Sequence, residues 1–117
     1  MTAARLPAAM EVSALIRSVQ ASGGFSMVLR KGDPDSGTLL IVILDNQGFG
    51  QTLARAFERL PMADGNRNWT LAKAQDPEKK EDFEIYLTRR MAQDRDLWII
   101  ELTIAEGEQF ILNLDKK

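Results

Sequence analysis

The stretch Thr38-Leu39-Leu40-Ile41-Val42-Ile43-Leu44 decides the fold of this chain, because it is an uncharged apolar run with turn-forming residues on both sides. Asp33–Gly37 precedes it and Asp45–Gly48 follows it. A short run rich in Leu, Ile and Val predicts a strand that is buried on both faces at the centre of a sheet. A turn or two of buried helix is the alternative, but the length and the β-branched residues favour a strand.

The length and composition predict one globular domain. A chain of 117 residues can bury one hydrophobic core, and 44% hydrophobic with 27% charged residues is typical of globular proteins. No apolar run approaches the roughly 20 residues that cross a bilayer. The first residues, Met1–Pro7, lack the apolar centre of a signal peptide. We therefore expect a single cytoplasmic domain with no membrane contact.

The charge balance and two missing residue types restrict the possible functions. Fifteen basic and seventeen acidic residues give a net charge of -2, which argues weakly against general nucleic-acid binding. The chain contains no cysteine and no histidine, so a thiolate nucleophile, an imidazole base, a disulfide and a conventional zinc site are excluded. We expect no metal and no cofactor, and the sequence favours a non-enzyme while leaving catalysis by carboxylates and arginine open.

Two helices are predicted. The first covers residues 7–21, with Pro7 in its first turn, and Val12, Leu15, Ile16 and Val19 form its core-facing stripe. The second begins at Asp76-Pro77-Glu78, where Asp76 can cap the helix and Pro77 suits its first position, and it runs to about Gln93.

Four further strands complete the prediction. The first covers residues 25–31 and forms a hairpin with the central strand through the loop Gly32–Gly37. The others cover residues 52–60, 69–73 and 97–104. Residues 52–60 fit both a helical and a strand period, and the turn-rich loop that follows favours a strand. The apolar segment Phe110–Leu114 either fills the core or contacts another subunit. The predicted fold is α+β: a largely antiparallel sheet of about five strands with two helices packed on one face, in the order α-β-β-β-β-α-β.

Four motifs resemble a small bacterial family, domain of unknown function family 1491. The motifs are Arg30-Lys31-Gly32-Asp33-Pro34-Asp35, Trp69-Thr70-Leu71, Gln75-Asp76-Pro77-Glu78 and Asp94-Arg95-Asp96-Leu97-Trp98-Ile99-Ile100-Glu101-Leu102. The resemblance extends from about Arg5 to Phe110. It implies a compact cytoplasmic domain and no particular activity.

A first candidate site lies in the loop after the first strand. Arg30 and Lys31, followed by Asp33 and Asp35, could bind an anion or a metal ion. The bidentate glutamate that closes a calcium loop and the glycine pattern of a phosphate loop are both absent. A charged turn that pairs with itself at the sheet edge is therefore the favoured interpretation.

A second candidate site is basic and aromatic. Arg55, Arg59, Arg67 and Trp69 lie in the two segments around the Asp64-Gly65 turn. If both segments are strands, Arg55, Phe57 and Arg59 emerge on one face. This surface could hold single-stranded nucleic acid or another polyanion by stacking and phosphate contact. The competing interpretation places Trp69 in the core, with arginine stems along its ring.

Arg90 is the third candidate, because it projects from the apolar face of the second helix. A buried guanidinium needs a partner, and Glu101 on the last strand is a candidate carboxylate. Arg90 could anchor an anionic ligand, although an internal ion pair, or an arginine that reaches out past the helix edge, is favoured.

The sequence thus leads to three functional hypotheses. The preferred one is a non-catalytic protein-interaction or regulatory module whose partner is another protein or a second copy, through a sheet edge or Phe110–Leu114. Polyanion binding through the basic and aromatic surface is the first alternative. A small enzyme, with Arg90 or Arg30 beside acidic groups, is the second.

Overall fold

The computed structural model describes residues 6–48, 50–61, 63 and 67–114. Strands and helices follow one another along the chain in the predicted order, and a short third helix follows the last strand. The elements are α1 (Ala8–Ala21), β1 (Phe25–Arg30), β2 (Leu39–Gly48), β3 (Gln51–Pro61), β4 (Arg67–Ala74), α2 (Glu81–Gln93), β5 (Trp98–Thr103) and α3 (Gly107–Leu112). In the described part of the chain, no helix is long and apolar enough to span a membrane.

The central strand is confirmed. The five strands form one sheet in the order β1-β5-β2-β3-β4, so β2 has a neighbour on both sides. It pairs with β5 in parallel and with β3 antiparallel, and the remaining pairs are antiparallel. The predicted α+β class, the five strands and the element order are therefore correct, and residues 52–60 form a strand.

The two long helices lie on opposite faces of the sheet, which corrects the prediction that both cover one face. Side chains of β2 alternate between two core clusters: Ile41 packs with α1, and Leu40 packs with α2. A strand that is apolar on both faces needs cover on both, because each exposed apolar side chain forfeits about 1.5–3 kcal/mol of burial. The α1 cluster contains Ala8, Val12, Leu15, Val19, Leu39, Ile41, Ile43, Phe57, Trp69, Trp98, Ile100, Leu102 and Ile111.

The apolar segment Phe110–Leu114 packs on the core, as the first of the two predicted alternatives has it. Helix α3 buries Ile111 completely, and Phe110 and Leu114 pack beside it against the α1 cluster. Gly107 permits this approach, because a Cβ there would lie 2.7 Å from Cγ2 of Ile43.

The predicted hairpin between β1 and β2 is wrong, because β5 lies between these strands. The connecting loop instead wraps around the start of β5. A Cβ on Gly32 or Gly37 would collide with the backbone of Asp96, so only glycine allows this crossing. The side chain of Trp98 donates from Nε1 to the Asp33 carbonyl oxygen at 2.7 Å, which fixes the loop on β5.

Helix α2 begins later than predicted, at Glu81. The Asp76 carboxylate accepts a hydrogen bond from the Glu78 backbone N–H at 2.9 Å, and the Asp76 carbonyl accepts one from the Lys79 N–H at 3.0 Å. These bonds close a separate turn, so Asp76 does not cap the helix. The predicted end at Gln93 is correct.

Candidate functional site

The first candidate site, in the loop after β1, is occupied by contacts within the protein. Arg30 donates from Nη2 to the Arg95 carbonyl oxygen at 3.2 Å, and Lys31 is exposed. The Asp33 carboxylate accepts hydrogen bonds from the Ser36 N–H, the Ser36 hydroxyl and the Asp35 N–H, and these bonds lower the pKa of Asp33. Among the described residues, no group of three or more acidic side chains could hold a metal ion. The geometry supports a self-paired turn.

The second candidate site is a set of internal ion pairs. Arg55 and Arg59 share the α1 face of β3 with Phe57, as predicted for a strand. Arg55 binds Asp45 through Nε at 2.6 Å and Glu108 through Nη1 at 3.3 Å. Arg59 pairs with Glu11 on α1, and its guanidinium lies 4.5 Å from the centre of the Trp69 ring.

Trp69 itself belongs to the core, because only 6% of its surface is exposed. The backbone of Arg67 is part of β4, whereas its side chain lies outside the described part of the structure. The structure therefore brings Arg55, Arg59 and Trp69 to one face, with acidic partners beside both arginines and the indole packed in the interior.

Arg90 is paired with Glu58 on β3. Its Nη2 lies 2.6 Å from Oε1 of Glu58, and its Nε donates to Oε2 at 3.1 Å. The Tyr86 hydroxyl donates to the same Oε2 at 2.8 Å. The hydrogen bond that Arg90 donates to Glu58 raises the pKa of Arg90. Burial raises the pKa of Tyr86 well above its usual range, and the hydrogen bond and negative charge of Glu58 raise it further. This bidentate pair with a hydroxyl donor is the internal arrangement favoured from the sequence, with a different carboxylate.

Glu101 lies beside β1, and the structure does not bring it to Arg90. It lies directly opposite Met27 in the β1–β5 register. It points to the same face of the sheet as Ile99, which α2 covers. Partial burial raises the pKa of Glu101, and the nearby Glu84 carboxylate raises it further. Glu101 is therefore an acidic group at the border of the surface described next.

An exposed apolar strand is the feature that sequence reasoning missed. Strand β1 is at the edge of the sheet, and its apolar side chains face solvent: Phe25 is 68% exposed and Met27 is 52% exposed, with Val28 and Leu29 also exposed. We call these four residues the β1 edge. Their exposure follows from the position of β5, since α2 packs on β2, β3 and the start of β5 and its core cluster contains no residue of β1.

Comparisons with known proteins point to one family. A family model described as a protein of unknown function (DUF1491) matches residues 6–112. A crystal structure of a DUF1491 family protein from Caulobacter crescentus CB15 shares 30% identity and a TM-score of 0.75, covering 91% of this chain and 94% of that chain. The NMR structure of a DUF1491 family protein from the same organism gives 30% identity and a TM-score of 0.73, covering 93% and 94%.

A solution structure of a protein from A. tumefaciens is also similar, with 25% identity and a TM-score of 0.69 over 97% of this chain and 98% of that chain. Nothing matches among the curated proteins. The family resemblance predicted from the four motifs is confirmed.

Proposed function

Because the chain belongs to the DUF1491 family of proteins of unknown function, we propose a function from the geometry of its surface: a protein-interaction module that pairs with a second copy of itself through the β1 edge. The observation that carries the proposal is an edge strand with four exposed apolar side chains. Neither catalysis nor polyanion binding has comparable support, since Arg55, Arg59 and Arg90 each contact an internal carboxylate.

A strand edge of this kind favours pairing with another chain. It presents backbone N–H and C=O groups that can extend the sheet, and soluble proteins usually protect such edges with charges, proline or bulges. Strand β1 has a bulge near Leu29, where Val28 pairs with Ile100 and Arg30 with Ile99. Its first part, from Phe25 to Val28, is regular and carries no charge.

The pattern of β1 suits a second copy of the same strand. Two antiparallel copies form a two-fold symmetric pair, in which the same residues meet on both sides. A pair centred near Met27 brings the apolar residues of both copies together. Arg30 and Lys31 follow the apolar segment, so antiparallel pairing places the cations of the two copies at opposite ends and keeps them apart.

A cysteine cross-link tests this arrangement directly, because the natural chain contains no cysteine. Facing Cα atoms of antiparallel strands lie about 4.5–5.5 Å apart, within the range of a disulfide. We therefore expect Met27→Cys or Val28→Cys to form a disulfide-linked dimer under mild oxidation. Ile85→Cys is the matched control, since Ile85 on α2 is as exposed as Met27, at 52% for both.

Light scattering coupled to size exclusion provides the second test. We expect the unmodified protein to form a dimer at about 100 μM and Met27→Lys to be a folded monomer, because an exposed lysine cannot be buried unpaired in the pair. Ile85→Lys should remain a dimer. A monomeric unmodified protein at that concentration, together with cross-linking of Met27→Cys and Val28→Cys no faster than Ile85→Cys, would contradict the proposal.

A further inference from the structure

A pocket of about 230 Å³ lies between α1 and the face of the sheet that this helix covers. We call it the α1 pocket. Its apolar lining includes Leu15 of α1, Ile41 of β2 and Leu114 after α3, and its polar lining comprises Glu11, Ser18, Arg59 and Trp69. An apolar cavity of about 150 Å³ can hold benzene, so this pocket has room for one six-membered ring with a small polar substituent. None of the four residues of the β1 edge lines it.

Trp69 brings an unpaired hydrogen-bond donor to this pocket. Only 6% of its surface is exposed, and its Nε1–H has no acceptor among the described residues. The other tryptophan of the chain, Trp98, donates its Nε1–H to the Asp33 carbonyl oxygen at 2.7 Å, which is the usual state of a buried indole. A buried donor without an acceptor destabilises the protein, so an acceptor placed in the pocket is bound favourably.

Glu11 brings an unpaired acceptor to the same pocket. Its Oε2 pairs with Nη2 of Arg59, whereas its Oε1 is covered from solvent and has no hydrogen-bond donor in the described part of the chain. A covered carboxylate oxygen is stabilised by a donor that reaches it. The α1 pocket therefore presents one donor and one acceptor that a bound molecule can satisfy.

The charges at the pocket cancel. Glu11 and Arg59 are the charged members of its lining, and they form an ion pair with each other. A cationic ligand would lie beside the guanidinium and an anionic ligand beside the carboxylate, and neither gains a counter-ion unless this pair is broken. The lining therefore favours a neutral molecule with an apolar body.

From these observations we propose that the α1 pocket binds a small neutral hydroxyl compound with an apolar body. The hydroxyl oxygen accepts a hydrogen bond from the Trp69 Nε1–H, and the hydroxyl hydrogen is donated to Oε1 of Glu11, since one hydroxyl both donates and accepts. The apolar body packs on Leu15 and Ile41. The side chains of Glu11 and Arg59 are 19% and 21% exposed, so they can turn outward and admit the ligand without backbone movement. This site is independent of self-association through the β1 edge, and failure of either proposal leaves the other standing.

The probe is cyclohexanol, and NMR of the full chain follows the indole N–H signals of the two tryptophans. We expect the Trp69 signal to shift with a dissociation constant below about 10 mM. The Trp98 signal should stay in place, because its N–H is already bonded to Asp33. Cyclohexylamine and cyclohexanecarboxylate carry the same ring with a positive or a negative charge. Both should bind at least about tenfold more weakly than cyclohexanol.

Protein variants test the pocket itself. Ala14→Leu enlarges an exposed lining residue of α1 and partly fills the pocket, so we expect at least about fivefold weaker binding of cyclohexanol. Ser13→Leu is the matched control, since Ser13 is an exposed neighbour on the same helix that does not line the pocket, and it should bind like the unmodified protein. Trp69→Phe removes the indole N–H and should weaken binding about three- to tenfold, followed through backbone amide shifts. The proposal is overturned if about 30 mM cyclohexanol leaves the Trp69 indole signal unmoved, if the three probes bind equally, or if Ala14→Leu binds like the unmodified protein.

Discussion

Replacing Arg90 by methionine tests whether the Glu58–Arg90 pair stabilises the domain. Arg90 on α2 and Glu58 on β3 join the helix to the sheet through two hydrogen bonds of 2.6 and 3.1 Å. Methionine keeps the apolar stem of the side chain and removes the guanidinium. Glu58 then keeps its hydrogen bond from the Tyr86 hydroxyl.

The expected cost follows from the burial of the pair. The side chain of Glu58 is 13% exposed and that of Arg90 is 22% exposed, so neither charge is fully solvated. Breaking a fully buried pair costs about 3–5 kcal/mol, and an exposed pair contributes less than about 1 kcal/mol. We expect an intermediate loss of about 2 kcal/mol in the free energy of unfolding, which lowers the melting temperature by roughly 6–12 °C.

Urea unfolding followed by tryptophan fluorescence measures this loss, because Trp69 and Trp98 are both buried and both lie in the α1 cluster. Arg89→Met is the matched control on the exposed side of the same helix, and it should change stability by less than about 0.5 kcal/mol. The same urea slope in all variants would show that the native and unfolded states remain comparable.

A double-mutant cycle then isolates the pair. Glu58→Met should also cost about 2 kcal/mol, whereas the variant with both methionines should lose only about 1–2 kcal/mol, since no unpaired charge remains. The coupling energy is then about 2–3 kcal/mol. A loss below 0.5 kcal/mol in Arg90→Met, or additive losses in the double variant, would refute the reasoning.

Three further predictions concern single positions. Gly32→Ala should lose about 3 kcal/mol or more in a urea titration, because its Cβ meets the Asp96 backbone, while Gly23→Ala has open space and should lose about 1 kcal/mol through its positive φ. Glu101→Gln should raise the free energy of unfolding by about 0.5 kcal/mol at pH 7 and leave it unchanged at pH 3.5. Burial raises the pKa of the Glu101 carboxyl in the folded state, so the folded protein loses stability as pH rises through that pKa and the carboxyl ionises. Glutamine does not ionise, so the variant avoids this loss. The raised pKa of Tyr86 means that its stability contribution is lost above about pH 10, so Tyr86→Phe should flatten the alkaline decline relative to the unmodified protein.

The elements of this fold could be predicted from local sequence, whereas their arrangement could not. The apolar run from Thr38 to Leu44 is a strand because both of its faces are apolar, and it occupies the centre of the sheet. A strand with two apolar faces requires cover on both faces of the sheet. The prediction that both helices cover one face left the other face uncovered. The insertion of β5 between β1 and β2 depends on contacts between residues more than 60 positions apart in the sequence, such as Trp98 with Asp33. The local pattern of apolar residues does not predict such contacts.

The candidate sites show the same division. The position of Arg90 on an apolar helix face predicted an internal pair, but the choice of Glu58 over Glu101 depends on how α2 lies across the sheet. The basic residues of β3 were found correctly on one face, while their acidic partners come from α1, β2 and α3. The apolar residues of β1 are typical of any strand, and only the strand order identifies them as an exposed edge.

The family motifs mainly hold the strands in their order, so their role differs from that of the proposed interaction sites. The Asp33 N–H donates to the Asp96 carbonyl at 3.1 Å, and the Trp98 side chain donates to the Asp33 carbonyl, so two motifs bind each other around β5. Polar groups used in this way are not available to a ligand. Substitutions in the motifs, such as Gly32→Ala, should therefore lower stability, whereas Met27→Lys should preserve the urea midpoint of a dilute monomer and abolish dimerisation. If Met27→Lys instead unfolds the domain, β1 is needed for folding and its exposed residues do not define an interaction site.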